Sequence, residues 1–171
     1  GLNNSADFSV INRNLISTKV PNNTAWDYVK VVSDIFNLSG ISPYKFVPNP
    51  KIDGFYLTSG FTGDIILVSG QGFSGVTGVR VNNLPVGQSG IFTLVNNTGL
   101  YLTIPSGNSY GLIKVYGQSG VSALSSNSFY PYALITGIIP LSGRTGIYLE
   151  VSGRNFLPEL LYSYGSNRYA I

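Results

Sequence analysis

The residues able to do chemistry in this chain are few: seven carboxylates and ten Lys or Arg, with neither histidine nor cysteine. Without imidazole or thiolate there is no Ser-His-Asp or Cys-His nucleophile, and no zinc site of the usual ligand types. Acid–base work would fall to Asp7, Asp27, Asp34, Asp53, Asp64, Glu150 and Glu159, and a glycosidase needs two such groups facing each other across a cleft. Asp53 and Asp64 flank one Gly-rich turn, yet in a second copy of the same pattern, 83 residues on (136 − 53 = 83), their places hold Thr136 and Ile147. They are therefore expected to be solvated turn carboxylates, the alternative being a calcium-supporting pair. Ser69-Gly70-Gln71-Gly72-Phe73 lacks the lysine and the following helix of a phosphate loop, so its glycines are expected to give positive φ at a strand corner. No catalytic residue, cofactor or metal is expected.

Aromatic residues make up 13% of the chain, and exposed tyrosines are the other chemistry on offer. Tyr101 and Tyr116 sit among residues (Leu100, Leu102, Ile104; Ile113, Val115) whose alternation aims those neighbours at a core and the two tyrosines outward. Such a pair suits contact with a glycan or a protein, or simple cross-strand packing.

The elements that must position these side chains are announced by the repeat. Ile52-Asp53-Gly54, Ser59-Gly60, Thr62-Gly63, Val68-Ser69-Gly70 and Phe73 return as Ile135-Thr136-Gly137, Ser142-Gly143, Thr145-Gly146, Val151-Ser152-Gly153 and Phe156. A period this long means tandem domains rather than a solenoid. Short apolar runs separated by turn chemistry predict strands at Asp64–Val68, Gly78–Asn82, Gly90–Val95, Gly99–Ile104, Leu112–Tyr116 and Ser128–Tyr130. The fold class predicted is all-β: tandem immunoglobulin-like sandwiches at 51–132 and 133–171, the second incomplete. Ile66 and Val68 align with Leu149 and Val151 as core residues, leaving Ile65 and Leu67 as an apolar outer face that something should cover. Phe73 and Phe156 are expected to be equivalent core plugs.

Residues 1–50 show no repeat at this level and are expected to be an N-terminal anchoring segment. Thr24 with Asp27 resembles a capping box, and the apolar spacing predicts a helix over Tyr28–Leu38, although its Val and Ile content favours strand. Trp26, Tyr28, Val29, Val32 and Phe36 are the expected anchors, buried against other chains or against Ile65 and Leu67.

The motif G-F-x-x-x-S-G-x-x-G (Gly54 to Gly63), S-G-Q-G-F (Ser69 to Phe73), V-R-V-N-N (Val79 to Asn83), L-Y-L-T-I-P-S-G (Leu100 to Gly107) and G-L-I-K-V (Gly111 to Val115) resembles an IPT/TIG domain. The second copy is similar through I-I-P-L-S-G-R-T-G (Ile138 to Gly146) and V-S-G-R-N-F (Val151 to Phe156). The resemblance implies an immunoglobulin-like fold and leaves function open, since such modules occur in phage virion proteins, bacterial surface proteins, polysaccharide-acting enzymes, receptors and transcription factors.

Charged residues are only 10% of the chain and the formal charge of +3 is scattered, which argues against nucleic acid as a partner. No apolar run reaches the roughly 20 residues of a membrane-spanning helix, and the lack of methionine points to a fragment or a processed chain. Four Asn-x-Ser/Thr triplets, starting at Asn3, Asn22, Asn37 and Asn96, are near chance in so Asn- and Ser-rich a chain. The function expected is that of a non-enzymatic structural protein of a phage particle (fibre, decoration or tail-associated). Its partners would be capsid, tail or fibre subunits in a homo-oligomer, with a host surface glycan as a further partner. The alternatives are a glycan-binding adhesion module of a bacterial or extracellular surface, and an accessory part of a polysaccharide-acting enzyme.

Overall fold

The structure, a computed structural model, describes residues 6–82, 84–85, 92–107, 110–156, 161–164 and 167–170, with backbone only for 84–85 and for those beyond 156. The chain opens with two antiparallel hairpins, β1 (Phe8–Asn12) with β2 (Leu15–Thr18), and β3 (Asp27–Ser33) with β4 (Leu38–Phe46). The helix expected over Tyr28–Leu38 is thus absent. Val29, Val31 and Val32 are stiff at χ1 and favour the pleated backbone, and the Val29 N–H is taken up by Ser42 Oγ on the partner strand at 3.0 Å.

The middle of the chain is a complete sandwich, as expected for the fold class. It is built from β5 (Lys51–Tyr56), β6 (Ser59–Gly60), β7 (Ile65–Gln71), β8 (Val76–Val81), β9 (Leu84–Pro85), β10 (Phe92–Asn96), β11 (Gly99–Thr103), β12 (Gly111–Gly117) and β13 (Ser122–Pro131). One sheet runs β10-β11-β7-β5 and the other β6-β13-β12-β8-β9. Ile66, Val68, Leu100 and Leu102 meet Val79, Val81, Ile113, Val115 and Phe129 between them, each 2% exposed or less. Phe73, in a short 3-10 turn, closes one end of this core. At roughly 1.5–3 kcal/mol for each large apolar side chain fully buried, this cluster is the main stabilising element of the described chain. The chain ends in β14 (Leu134–Ile139) with β15 (Glu150–Arg154), and β16 (Leu161–Tyr164) with β17 (Asn167–Ala170).

The pairing registers show that the repeat is wider than its sequence signature. β14–β15 reproduces β5–β7 at the offset of 83 (134 − 51 = 83), pair for pair: Ile135 with Gly153, Gly137 with Ser152, Ile138 with Val151, and the same bulge after the second pair of the register, between Ile135 and Gly137 as between Ile52 and Gly54. Gly70 and Gly153 share a reason to be glycine, because a Cβ there would run into the carbonyl of Lys51 or Leu134 and the ring of Phe73 or Phe156. β16–β17 repeats β8–β9, with Ser163 opposite Arg168 as Arg80 is opposite Pro85.

The N-terminal hairpins are part of the same system, which revises the expectation of an unrelated anchoring segment. β1–β2 has the register of β10–β11 at an offset of 84 (92 − 8 = 84), including the bulge: Phe8 with Thr18 matches Phe92 with Leu102, and Val10 with Ile16 matches Leu94 with Leu100. Asn12 Oδ1 accepts the Asn14 N–H at 2.9 Å just as Asn96 Oδ1 accepts the Thr98 N–H at 2.8 Å. β3–β4 matches β12–β13 through Tyr28 with Lys45 and Leu112 with Ser128. Ser42 bridges the Val29 N–H to the Tyr44 carbonyl as Ser125 bridges Ile113 to Asn127. Residues 8–48 are therefore the second half of one unit, 51–131 a whole unit, and 134–170 the first half of another.

Candidate functional site

The sequence-derived residues are not gathered into one place. Tyr101 lies on β11 opposite Leu67, which is opposite Tyr56 on β5, so with Ile65 they form the outer face of the four-stranded sheet. All four are exposed, Ile65 at 62% and Leu67 at 41%, so residues 6–50 do not cover them, which was one of the two covers expected, the other being another chain. Tyr116 lies on the other sheet. Its ring has Arg80 and Lys114 over it at 5.5 and 5.0 Å, so two cations take up the aromatic surface. Tyr101 and Tyr116 thus face away from each other on opposite sides of the sandwich and cannot act as one platform.

Of the expected anchors, Trp26 alone is substantially covered. Its backbone N–H donates to Ser74 Oγ at 2.7 Å, while Asn97 Nδ2 donates to the carbonyls of Asn23 and Thr24 at 2.9 and 3.1 Å. These bonds fix the junction between the first half-unit and the middle module. Tyr28, Val29, Val32 and Phe36 are 48 to 71% exposed in the chain by itself.

Asp64 and Asp53, the two carboxylates flanking the first Gly-rich turn, make local contacts. Asp64 Oδ2 accepts the Phe61 N–H at 2.7 Å, and Asp53 pairs with Lys51 at 2.6 Å in an exposed ion pair. Among the described residues no group of His, Cys, Asp or Glu is placed to hold a metal ion.

A different place has the make-up of a ligand site. On the outer face of the five-stranded sheet, Leu112 of β12 and Leu124 of β13 form an apolar floor for a shallow groove of about 390 Å³, walled by Tyr110 and rimmed by Asn82, Lys114 and Ser128. Tyr110 is stacked parallel on Tyr130, centroids 5.9 Å apart, and both rings are half exposed. The local sequence dictates this. Ser125 is pulled into the core to satisfy the Ile113 N–H at 3.0 Å, which aims Leu112 and Leu124 outward on adjacent strands. Gly111 lets Asn82 lie against its backbone where any Cβ would collide with that side chain. The volume is at the low end for small-molecule sites, and a mostly apolar lining with a few polar groups is their usual composition.

The same place in the N-terminal half-unit carries larger side chains. There Trp26 stands for Tyr110 (110 − 26 = 84), Tyr28 for Leu112, and Lys45 for Ser128 (128 − 45 = 83). Lys45 Nζ sits 5.2 Å from the ring centroids of both Trp26 and Tyr28. In the middle module the smaller side chains of Tyr110, Leu112 and Ser128 take these places.

Chemically, the groove offers flat apolar surface to the C–H face of a ring, and an ammonium, an amide and a hydroxyl to polar substituents. No carboxylate lines it among the described residues. Sequence reasoning passed over Tyr110, Leu112, Leu124 and Ser128. The signal was present as a break in alternation: Leu112 and Ile113 are both apolar, so one of them must face out.

No family model matches the chain, and no curated protein matches it. Among solved structures it is similar to SGBP-B from a complex xyloglucan utilization locus of Bacteroides uniformis, at 18% identity over 82% of this chain and 43% of that one, TM-score 0.44. It is also similar to an auxiliary nutrient binding protein of Bacteroides thetaiotaomicron (18% identity, 52% of this chain and 22% of that one, TM-score 0.42). A putative phosphatase of the same organism gives 23% identity over 52% of this chain and 19% of that one, TM-score 0.42. The chain thus spans about a fifth of the length of the last two structures. At these identities the likeness is one of fold. Among the described residues no helix is long and apolar enough to cross a membrane.

Proposed function

We propose that this chain is a non-catalytic binding array of IPT/TIG-type modules, displayed outside the cell at a bacterial surface, and that the groove of its middle module takes a sugar residue of a polysaccharide. The observation that carries this reading is the groove with the Tyr110–Tyr130 pair, which is open at Ser128 where the N-terminal copy inserts Lys45. A feature required by the fold would be kept in both copies; one that differs while the hydrogen-bonded frame stays the same is free to serve a ligand. Aromatic rings with an apolar body and a polar rim suit carbohydrates, which present both kinds of surface. No cofactor is needed, and with no histidine or cysteine in the chain and no acid among the described residues of the groove, binding is not followed by turnover.

The test is affinity electrophoresis through gels holding soluble β-glucans, xylans, mannans or pectins, with calorimetry against a xylogluco-oligosaccharide. Ser128→Lys puts at this exposed strand position the residue type that Lys45 provides in the first half-unit, so it should fold normally and lose retardation. Retardation of Ser128→Lys equal to that of the unaltered chain, or no retardation of the latter in any gel, would contradict the proposal.

A second reading, a structural subunit of a phage particle, is favoured by one observation. Each flanking half-unit repeats the strand pairing of its half of the middle module, whereas the side chains of the groove are not repeated in the first of them, as expected if propagating the module is the function. Mass spectrometry of purified particles tests it: the chain present in stoichiometric amount supports the reading, and its absence removes it.

A further inference from the structure

Charge is unevenly placed on the middle module. Residues 51–131 hold three cationic side chains, Lys51, Arg80 and Lys114, and two carboxylates, Asp53 and Asp64. Lys51 and Asp53 pair with each other on β5, in the four-stranded sheet, and Asp64 accepts the Phe61 N–H in the turn before β7. The other two cations lie together on the five-stranded sheet. Lys114 of β12 is directly opposite Arg80 of β8, and both stand over the ring of Tyr116, at 5.0 and 5.5 Å. Like charges directly across a strand pair work against the fold, and the face of the Tyr116 ring offsets part of that repulsion. The core between the sheets is filled by their neighbours Val79, Val81, Ile113 and Val115, so the two cations do no packing there. Lys114 is also a rim residue of the groove, and none of the described residues lining it is acidic. It follows Leu112 by two residues, about 7 Å along the strand, so one sugar residue resting on the Leu112 floor can reach it with a substituent.

We propose that the sugar selected by this groove is an acidic one, its anionic group, a uronate carboxylate or a sulfate ester, held by Lys114 with Arg80 behind it. The inference rests on the reading of the groove as a sugar site and names the class of sugar. Hydrogen bonds between an ammonium and an anion are stronger than neutral ones, and the guanidinium adds a second positive charge whose planar fork suits a carboxylate or a sulfate. A neutral sugar has the apolar floor and the polar rim alone, and binds more weakly.

Calorimetry on the full chain with paired probes tests this. One pair is oligogalacturonate and its methyl ester, which keeps the backbone and removes the charge; the other is a sulfated galactan oligosaccharide and its desulfated form. In at least one pair the acidic form should bind about tenfold tighter or more, the scale of one hydrogen bond to a charged group, and the preference should shrink as salt is raised. The pair that shows it identifies the anion. Lys114→Gln should abolish the preference and Lys114→Glu should turn it towards the neutral form. Arg144→Gln removes the same charge away from the groove lining and should leave the preference intact, while Tyr110→Ala should weaken both members of a pair together. Equal affinity within both pairs, still weakened by Tyr110→Ala, overturns the acidic preference and keeps the groove as a sugar site; no saturable binding of any probe overturns both. A preference that survives Lys114→Gln, or that Arg144→Gln reduces as much, overturns the proposal as well, since the net charge of the chain would then account for it. Melting temperatures of the variants check that each is folded.

Discussion

Phe73→Ala and Phe156→Ala place the same deletion in the same local seat, and the structure sets their costs far apart. Each ring packs on a glycine of its own hairpin, Gly70 or Gly153, but Phe73 is 0% exposed and Phe156 is 36% exposed. Removing a fully buried phenylalanine loses transfer free energy and leaves a cavity, about 3–5 kcal/mol together. That is a large share of the roughly 5–15 kcal/mol a domain has in total. At Phe156 no facing sheet is present among the described residues, so there is no cavity term and only part of the roughly 1.5–3 kcal/mol for burying such a side chain is at stake. Urea titration of the monomeric chain, followed through amide signals of β7 and β12, should show Phe73→Ala moving the midpoint strongly at constant slope. Phe156→Ala should leave those signals where they are. An unmoved midpoint for Phe73→Ala, or equal shifts for both, would refute the assignment of Phe73 to a closed core and Phe156 to an open one.

Three further outcomes follow from the geometry. Ser125→Ala orphans the Ile113 N–H beside a side chain only 4% exposed and should cost about 1–3 kcal/mol in the same urea titration; Ser42→Ala, in the exposed counterpart, should leave the middle module unchanged. Asp64→Ala gives up the bond to the Phe61 N–H and should cost about 0.5–1.5 kcal/mol, with no change in melting temperature when calcium is added or chelated. Tyr101→Ala, on the sheet face opposite the groove, should leave polysaccharide retardation intact, and loss of retardation would move the site to the Tyr56, Leu67 and Tyr101 face.

The sandwich was legible in the sequence because its turns need specific chemistry. Gly63 and Gly146 both hold positive φ, at 94° and 89°, and such positions keep their identity between copies. The phase of β7 was equally plain, since Ile66 and Val68 could be matched to Leu149 and Val151. The kinship of residues 8–48 with 92–131 was not legible, for a physical reason: a strand facing a core accepts any aliphatic or β-branched residue, so Ile16 stands for Leu100 and Val29 for Ile113. What survives is sparse and serves the backbone, namely Asn12 with Asn96, Ser42 with Ser125, and the prolines Pro21 with Pro105 and Pro48 with Pro131. The false helix at Tyr28–Leu38 has a similar origin, because a strand rich on both faces, followed by the apolar turn residues Ile35 and Phe36, imitates helical spacing. The groove was missed because its one sequence signal, the break in alternation at Leu112 and Ile113, is short, and the small side chain of Ser128 at its rim belongs to no motif.

The most direct measurement of the central claim is a titration of the isotope-labelled chain with soluble polysaccharide fragments, xylogluco-oligosaccharide first, watching backbone amide shifts. Binding in the groove predicts saturable shifts gathered at Tyr110, Leu112, Lys114, Leu124 and Ser128, all absent in Ser128→Lys. Shifts gathered instead at Tyr56, Leu67 and Tyr101, or no saturable shift with any fragment, would contradict it.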